Sequence, residues 1–309
     1  MLGHSTGMTT VALPPALSPG DLVAVVAPSS PPPVQELLRG LAWLRARYRL
    51  RLSSRVFCRE GFLAGSDPVR VAELASAMRD PEVKAIVAAR GGYGAMRIVG
   101  ELPWDDLATR PKWLVGFSDV TALHAVAWSR GVASVHGPNV TGLGGAAPVS
   151  DRAGWLAALE RPAESRCWEG LRVVHGGRGE GVIVGGNLAI LHAMAAAGRL
   201  AFPDGAVIAI EDVTEAPYRV DRMLTSLRLG GHLARASAIV CGGFDRCPPG
   251  PDGRTVDDVL HERTSGLGIP VLVGASFGHG TRNDAFVLGR RVVVEGRSKS
   301  GCVIFDHAP

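Results

Sequence analysis

The chain has 309 residues, 46% of them hydrophobic and 20% charged, with a formal net charge of +4. That length is enough for two domains with real cores, and the balance excludes a disordered chain. The scattered basic residues exclude a nucleic-acid stripe, and no apolar run reaches the ~18 residues of a membrane span. Residues 1–20 are polar and Pro-rich, with no basic start followed by an apolar stretch. They read as a loose tail and the chain as cytoplasmic.

Leu22 to Ala27 is a continuous apolar run, the mark of a strand covered on both faces. Val34 to Tyr48 has helical periodicity, with Leu37, Leu38, Leu41 and Leu44 on one side. A second strand is expected near Leu52 to Phe57. A helix then starts at Asp67-Pro68, and Val83 to Ala89 forms a third buried strand. Strand and helix alternate, so the first half reads as an open parallel α/β sheet, which binds ligands at the carboxyl ends of its strands.

Two motifs occupy such ends. Arg90-Gly91-Gly92-Tyr93-Gly94 follows the third strand and precedes a helical stretch. It is neither a dinucleotide fingerprint nor a Walker loop, but its glycines allow backbone N–H groups to approach an anion. An unoccupied tight turn would look the same. Trp113 to Gly116 then feeds Phe117-Ser118-Asp119 and a helical pattern through Leu123 and Val126. A strand, a sharp bend and a helix lift a serine hydroxyl out of the sheet. Val120 stands where the hydrolase pattern Gly-x-Ser-x-Gly has its second glycine, and a serine at such a bend also serves as a plain helix N-cap.

Val132 to His136 is a fifth strand. Periodicity then fades, and residues 141–179 read as a linker around one short helix, Asp151 to Leu159. The reading is therefore a tail (1–20), a nucleophile domain (21–140), the linker, and a C-terminal domain (180–309). In that last domain Asn187 caps a helix from Leu188 to Ala197. Ala206 to Ile210 is a strand running into Glu211-Asp212, and Pro217 to Leu229 is helical. Ser237 to Cys241 and Ile269 to Gly274 are further strands, and the C-terminus holds short antiparallel strands. This half is smaller and mixed α+β.

The five cysteines show no Cys-x2-Cys spacing, so neither a zinc knuckle nor a redox pair is indicated. A nucleophilic serine needs a base, and the base needs a partner to orient it. Among nine histidines, His279 stands out. It lies in Gly278-His279-Gly280, on a loop past an apolar strand. Glu211 sits at the end of a buried strand, and in extended geometry Asp212 points the other way. Ser118 lies in one domain and its would-be partners in the other, and a cleft between domains is a usual place for a site.

Taken in order, these motifs resemble the LD-carboxypeptidase family, the muramoyl-tetrapeptide carboxypeptidases and the related microcin C immunity proteins. The set is Gly20-Asp21 with Ala27-Pro28-Ser29, Arg90-Gly91-Gly92-Tyr93-Gly94, Gly116-Phe117-Ser118-Asp119, His136-Gly137-Pro138, Gly185-Gly186-Asn187-Leu188, Glu211-Asp212 with Pro217 to Arg222, and Gly278-His279-Gly280. The resemblance implies a serine nucleophile at Ser118, an acid at Glu211, a base at His279, and an oxyanion hole from the backbone N–H groups of Gly92 and Asp119. It implies a glutamine-amidotransferase-like N-terminal domain, no metal, no cofactor, and often a homodimer. The implied substrate is a murein tetrapeptide cleaved before its terminal D-alanine. Substrate carboxylates need cationic or N–H partners; the sequence singles none out, and Arg90, Gly91, Tyr93 and Arg222 are the candidates. The absence of a long insertion between Glu211 and His279 favours the peptidoglycan-recycling branch over a hydrolase of peptidyl or aminoacyl nucleotides. A non-catalytic two-domain ligand-binding protein is the alternative of another class.

Overall fold

The run Leu22–Val26 forms strand β1, and it is apolar throughout because both its faces are covered. Val23 and Val25 pack with Leu37, Leu41 and Leu44 of helix α1 (Val34–Arg45), while Ala24 and Val26 pack with Leu74 and Met78 of α2 (Asp67–Arg79). Between those helices lies β2 (Arg49–Leu52), whose alternating Arg and Leu suit a sheet edge. The computed structural model describes residues 11–145, 148–297 and 300–306. Residues 1–10 of the expected tail and Ala146 and Ala147 of the expected linker lie outside these.

The first half continues through β3 (Val83–Ala88), α3 (Ala95–Ile98), α4 (Trp104–Thr109), β4 (Trp113–Gly116), α5 (Thr121–Ser129), β5 (Ser134–His136), α6 (Val140–Gly144) and α7 (Val149–Glu160). Its five strands pair in parallel, in the order β5-β4-β3-β1-β2. The second half comprises β6 (Arg166–His175), β7 (Gly177–Asn187), α8 (Leu188–Ala196), β8 (Val207–Val213), α9 (Pro217–Leu229), β9 (Ala238–Asp245), α10 (Val256–Thr264), β10 (Val271–Val273), β11 (Phe286–Leu288), β12 (Arg291–Arg297) and β13 (Ser300–Phe305). Seven of these strands close a barrel in the order β10-β6-β13-β12-β7-β8-β9. Strands β7 to β10 run parallel, and the others are antiparallel. One apolar core runs from α2 and α5 into the barrel; α1 and α7 cover the other face of the first sheet.

Four sequence expectations change. The second strand ends at Leu52, and residues Ser54–Phe57 form a 3₁₀ turn. Residues 11–20 are anchored rather than loose: Leu17 is buried, its N–H donates to the Leu159 carbonyl at 2.8 Å, and Ala12 bridges to Val132. The span 141–179 is not a bare connection. Gly40 and Gly144 let α1 and α6 touch backbone to backbone, since a Cβ at Gly144 would stand 1.9 Å from the Glu36 carbonyl oxygen. Arg166–His175 is a barrel strand, hidden in the sequence because Gly170 (φ +70°) breaks its alternation and much of it faces solvent. Finally, β11 leaves the second half to pair antiparallel with β5, Phe286 opposite His136. Among the described residues, no helix is long and apolar enough to cross a membrane.

Candidate active site

Strand β4 is fully buried and delivers the chain to Ser118, which is half-buried and holds φ +64°. A left-handed residue other than glycine costs roughly 1–2 kcal/mol and persists only where its surroundings enforce it. Those surroundings are visible. Asn139 Oδ1 accepts from the Phe117 N–H at 3.3 Å, and a Cβ at Gly116 would stand 2.7 Å from that same oxygen. The buried His124 ring bridges the Gly116 carbonyl (2.9 Å) and Ser134 Oγ (2.8 Å), tying the end of β4 to α5 and β5. Burial pushes His124 down to about 4, so it holds the bend as a neutral ring. Val120, where a second glycine was absent, is a core residue.

The Gly-rich loop after β3 packs directly on this bend. A Cβ at Gly91 would lie 3.0 Å from Ser118 Cβ and 3.2 Å from its Oγ, so the backbone of Gly91 walls the hydroxyl. Gly92 takes φ +108°, and among the described residues its N–H meets no acceptor. The Tyr93 N–H donates to Ser30 Oγ at 3.1 Å, and the Tyr93 ring lies exposed against Phe62. Arg90 donates to the Pro31 carbonyl at 2.9 Å.

The Asp119 side chain does work that the sequence reading missed. Its buried carboxylate accepts from Ser29 Oγ (2.6 Å) and from the Ala95 N–H (2.8 Å). One oxygen thus joins the loops after β1, β3 and β4 and fixes the peptide that follows Ser118. Burial raises this carboxyl above its ordinary value, against the pull of those two donors.

The second half supplies Glu211 and His279. Glu211 is wholly buried in β8, and its Oε2 lies 2.7 Å from His279 Nδ1. An ionised carboxylate only accepts, so Nδ1 carries the proton and Nε2 is left free to accept. Burial disfavours the imidazolium, but the bonded Glu211, with Asp212 and Asp245 behind it, outweighs this and holds His279 above the usual histidine value. Asp212 turns the other way. It accepts from Asn187 Nδ2, the Ala189 N–H and the Val213 N–H, which docks the start of α8, and burial beside Glu211 pushes it up to about 6.

The two halves meet at this point. The Phe117 ring lies 4.9 Å from the His279 ring, centroid to centroid. Thr121 Oγ1 accepts from the Asn187 N–H at 3.0 Å, and Gly186 has no Cβ because one would stand 2.4 Å from that hydroxyl. No hydrogen bond joins Ser118 Oγ to the His279 ring in this structure. Ser118, Thr214 (φ +59°) and Arg246 (φ +53°) are the non-glycine residues with left-handed φ among those described, and each directly follows the carboxyl end of β4, β8 or β9 or its adjoining residue. Backbone strain is thus stored just past strand ends in both halves.

Arg222 forms no hydrogen bond or ion pair with these residues. It is exposed on α9 with its guanidinium 5.5 Å from the Tyr218 ring, and its neighbour Asp221 pairs with Arg263 at 3.3 Å instead. Asn139, which braces the bend, and Thr121, which ties the two halves together, carry only weak sequence signals: one follows His136-Gly137-Pro138 and the other opens α5. Among the described residues, no group of three or more His, Cys, Asp or Glu side chains could hold a metal.

With this geometry in place, the comparisons with known proteins are informative. The LD-carboxypeptidase N-terminal domain matches residues 23–137 and the LD-carboxypeptidase C-terminal domain matches residues 180–294. The chain is 33% identical over 287 residues to the murein tetrapeptide carboxypeptidase of Pseudomonas aeruginosa, covering 89% of this chain and 93% of the relative. The crystal structure of the muramoyltetrapeptide carboxypeptidase of Oxalobacter formigenes superposes with a TM-score of 0.83 at 26% identity, covering 93% of this chain and 99% of that one. The microcin C7 self-immunity protein shares the fold, with a TM-score of 0.86 at 21% identity over 97% of this chain and 100% of its own. Matched in both halves and along nearly its full length, the chain belongs to the LD-carboxypeptidase family.

Proposed function

We propose that this chain is a serine carboxypeptidase that releases terminal D-alanine from murein tetrapeptides, cutting the amide that joins it to the L-centre of a diamino acid. The observation that carries this reading is the 2.7 Å contact between buried Glu211 and His279 Nδ1, made beside the strained Ser118 bend. His279 Nε2 takes the Ser118 proton as Oγ attacks the carbonyl carbon. Glu211 keeps the imidazole in the required tautomer and stabilises the imidazolium. The N–H groups of Gly92 and Asp119 receive the developing oxyanion, where losing one such donor typically costs ~10²–10³ in rate. His279 then returns the proton to the leaving D-alanine nitrogen, and water, activated by the same imidazole, hydrolyses the acyl-enzyme. Ser118 and His279 need not be hydrogen-bonded beforehand in this reading, since such bonds tighten in the substrate complex.

Arg90, Gly91 and Tyr93, on the loop that walls Ser118, are candidates for holding the substrate in this reading, and Arg222 is the weakest. The same reading carries a glutamine-amidotransferase-like first half, a cytoplasmic site of action and a homodimer, the last checked by light scattering. The test of function is D-alanine release from a murein tetrapeptide, followed by mass spectrometry. Wild-type turnover lost in Ser118→Ala supports the reading, whereas equal release by both proteins sinks it. Preference for a peptidyl nucleotide over the tetrapeptide would shift the substrate and keep the chemistry.

A further inference from the structure

A cavity of about 250 Å³ opens between α7, the start of β6, the residues just before β11 and the end of β13. None of Ser118, Glu211 or His279 lines it. Two arginines do. Arg290 is only 4% exposed; its Nη1 donates to the carbonyls of Pro162 (2.9 Å) and Glu164 (2.8 Å), and among the described residues its Nη2 meets no acceptor. Arg166 donates to the Ala285 carbonyl at 2.5 Å and lies over the rings of Phe305 (4.9 Å) and Trp168 (5.7 Å). On the same wall, the buried indole N–H of Trp168 also lacks an acceptor among the described residues.

The wall's carboxylates are engaged elsewhere. Glu164 pairs with Arg161 at 2.7 Å and Asp284 with Arg282 at 2.8 Å, while neither Arg166 nor Arg290 forms an ion pair among the described residues. Burial lowers Arg166 to about 10; the Asp284 charge resists this and the Arg290 charge adds to it. A guanidinium drawn out of water with no ion pair among the described residues is unfavourable unless something anionic joins it; Arg290 is buried in this way and Arg166 partly so. A guanidinium presents a planar fork of donors matched to the paired oxygens of an oxyanion.

We propose that this cavity is a binding site for a small oxyanion, a phosphate or carboxylate group, gripped by Arg166 in the field of Arg290. The site abuts the stretch carrying His279: Arg166 holds the Ala285 carbonyl, and the Asp284 N–H donates to the Ser276 carbonyl at 2.6 Å. It is separate from the peptide cleft and does not depend on the reading of the triad.

Inorganic phosphate is the probe, titrated calorimetrically into the full chain at ionic strength held constant with chloride. A saturable site is expected. Arg166→Gln is expected to weaken it about tenfold, and Asp284→Asn, which removes the carboxylate nearest Arg166, to tighten it about threefold, in line with unit charges acting at part-buried range. Far-UV circular dichroism checks that each variant folds. Should Arg166→Gln fail to fold, Asp284→Asn is read in an Arg282→Gln background, so that tighter binding cannot come from the arginine that Asp284 releases. Acetate in a parallel titration separates carboxylate from phosphate, and saturable binding of either supports the site. Absence of saturable binding above chloride, or an unchanged affinity in Asp284→Asn, overturns the proposal.

Discussion

A methyl group on Gly278 would stand 2.8 Å from Glu211 Oε2, the oxygen that receives His279 Nδ1. The Glu211 carboxylate is therefore pressed against the backbone next to His279, and Gly278 adds a left-handed φ of +115°. Gly278→Ala is expected to lower kcat about 10²-fold by displacing the imidazole, since errors near 1 Å in a catalytic group cost about that much. Steady-state kinetics check this, and the unfolding midpoint should fall as well because φ is strained.

Ser118 gives up stability for position. Ser118→Gly is expected to abolish turnover and to raise unfolding free energy by about 1 kcal/mol, the cost of holding a side chain in the left-handed region. Ser118→Ala should be equally inactive without the gain. Urea unfolding of the two variants beside wild type separates strain from loss of the hydroxyl.

In the proposed mechanism His279 is the base and sets the acid limb of the pH profile. His279 must be neutral to accept a proton, and its pKa stands above 6.5, so kcat/KM of wild type should fall as pH drops through a value above 6.5. Glu211→Gln is expected to reduce kcat by on the order of 10³–10⁴. It should also move the limb to lower pH, because the group raising the imidazole is gone. In stability the sign is that of a raised histidine. The contribution is complete below about 6.5 and is lost as pH rises through the folded value, so Glu211→Gln should cost more at pH 5 than at pH 9.

His136 tests the opposite sign. Its ring is fully buried among Phe117, Phe277 and Phe286 at 5.0–5.9 Å, and among the described residues neither nitrogen meets a partner. Burial, with the charges of His124 and His279 adding to it, holds it well below the usual value. Such a group supports folding above about 6.5 and withdraws that support as pH falls. His136→Phe is expected to stabilise the fold by about 1–3 kcal/mol, with the larger gain at pH 5. Chemical denaturation at pH 5 and pH 8 reads the difference.

Much of this architecture could be read along the chain. The unbroken apolar runs at Leu22–Val26 and Val83–Ala88 announced strands covered on both faces, and Asn187 announced a helix start, with its side chain accepting from the Ile190 N–H at 3.2 Å. Each is a local matter of period, cap or turn. The ordered motifs pointed to Ser118, Glu211 and His279 for the same reason: strand ends and glycine-flanked loops are written in adjacent residues.

Only the folded chain decided what is non-local. Pairing of β11 with β5, closure of the barrel through β6, and anchoring of residues 11–20 depend on partners far away in sequence, which periodicity does not name. The same holds within the site. That Asp119 would bind Ser29 and Ala95, that Arg222 would lie over Tyr218, and that His279 would reach Glu211 across 68 positions are facts of packing. A sequence specifies which side chains seek burial or a partner; three-dimensional packing alone determines which partner each one meets.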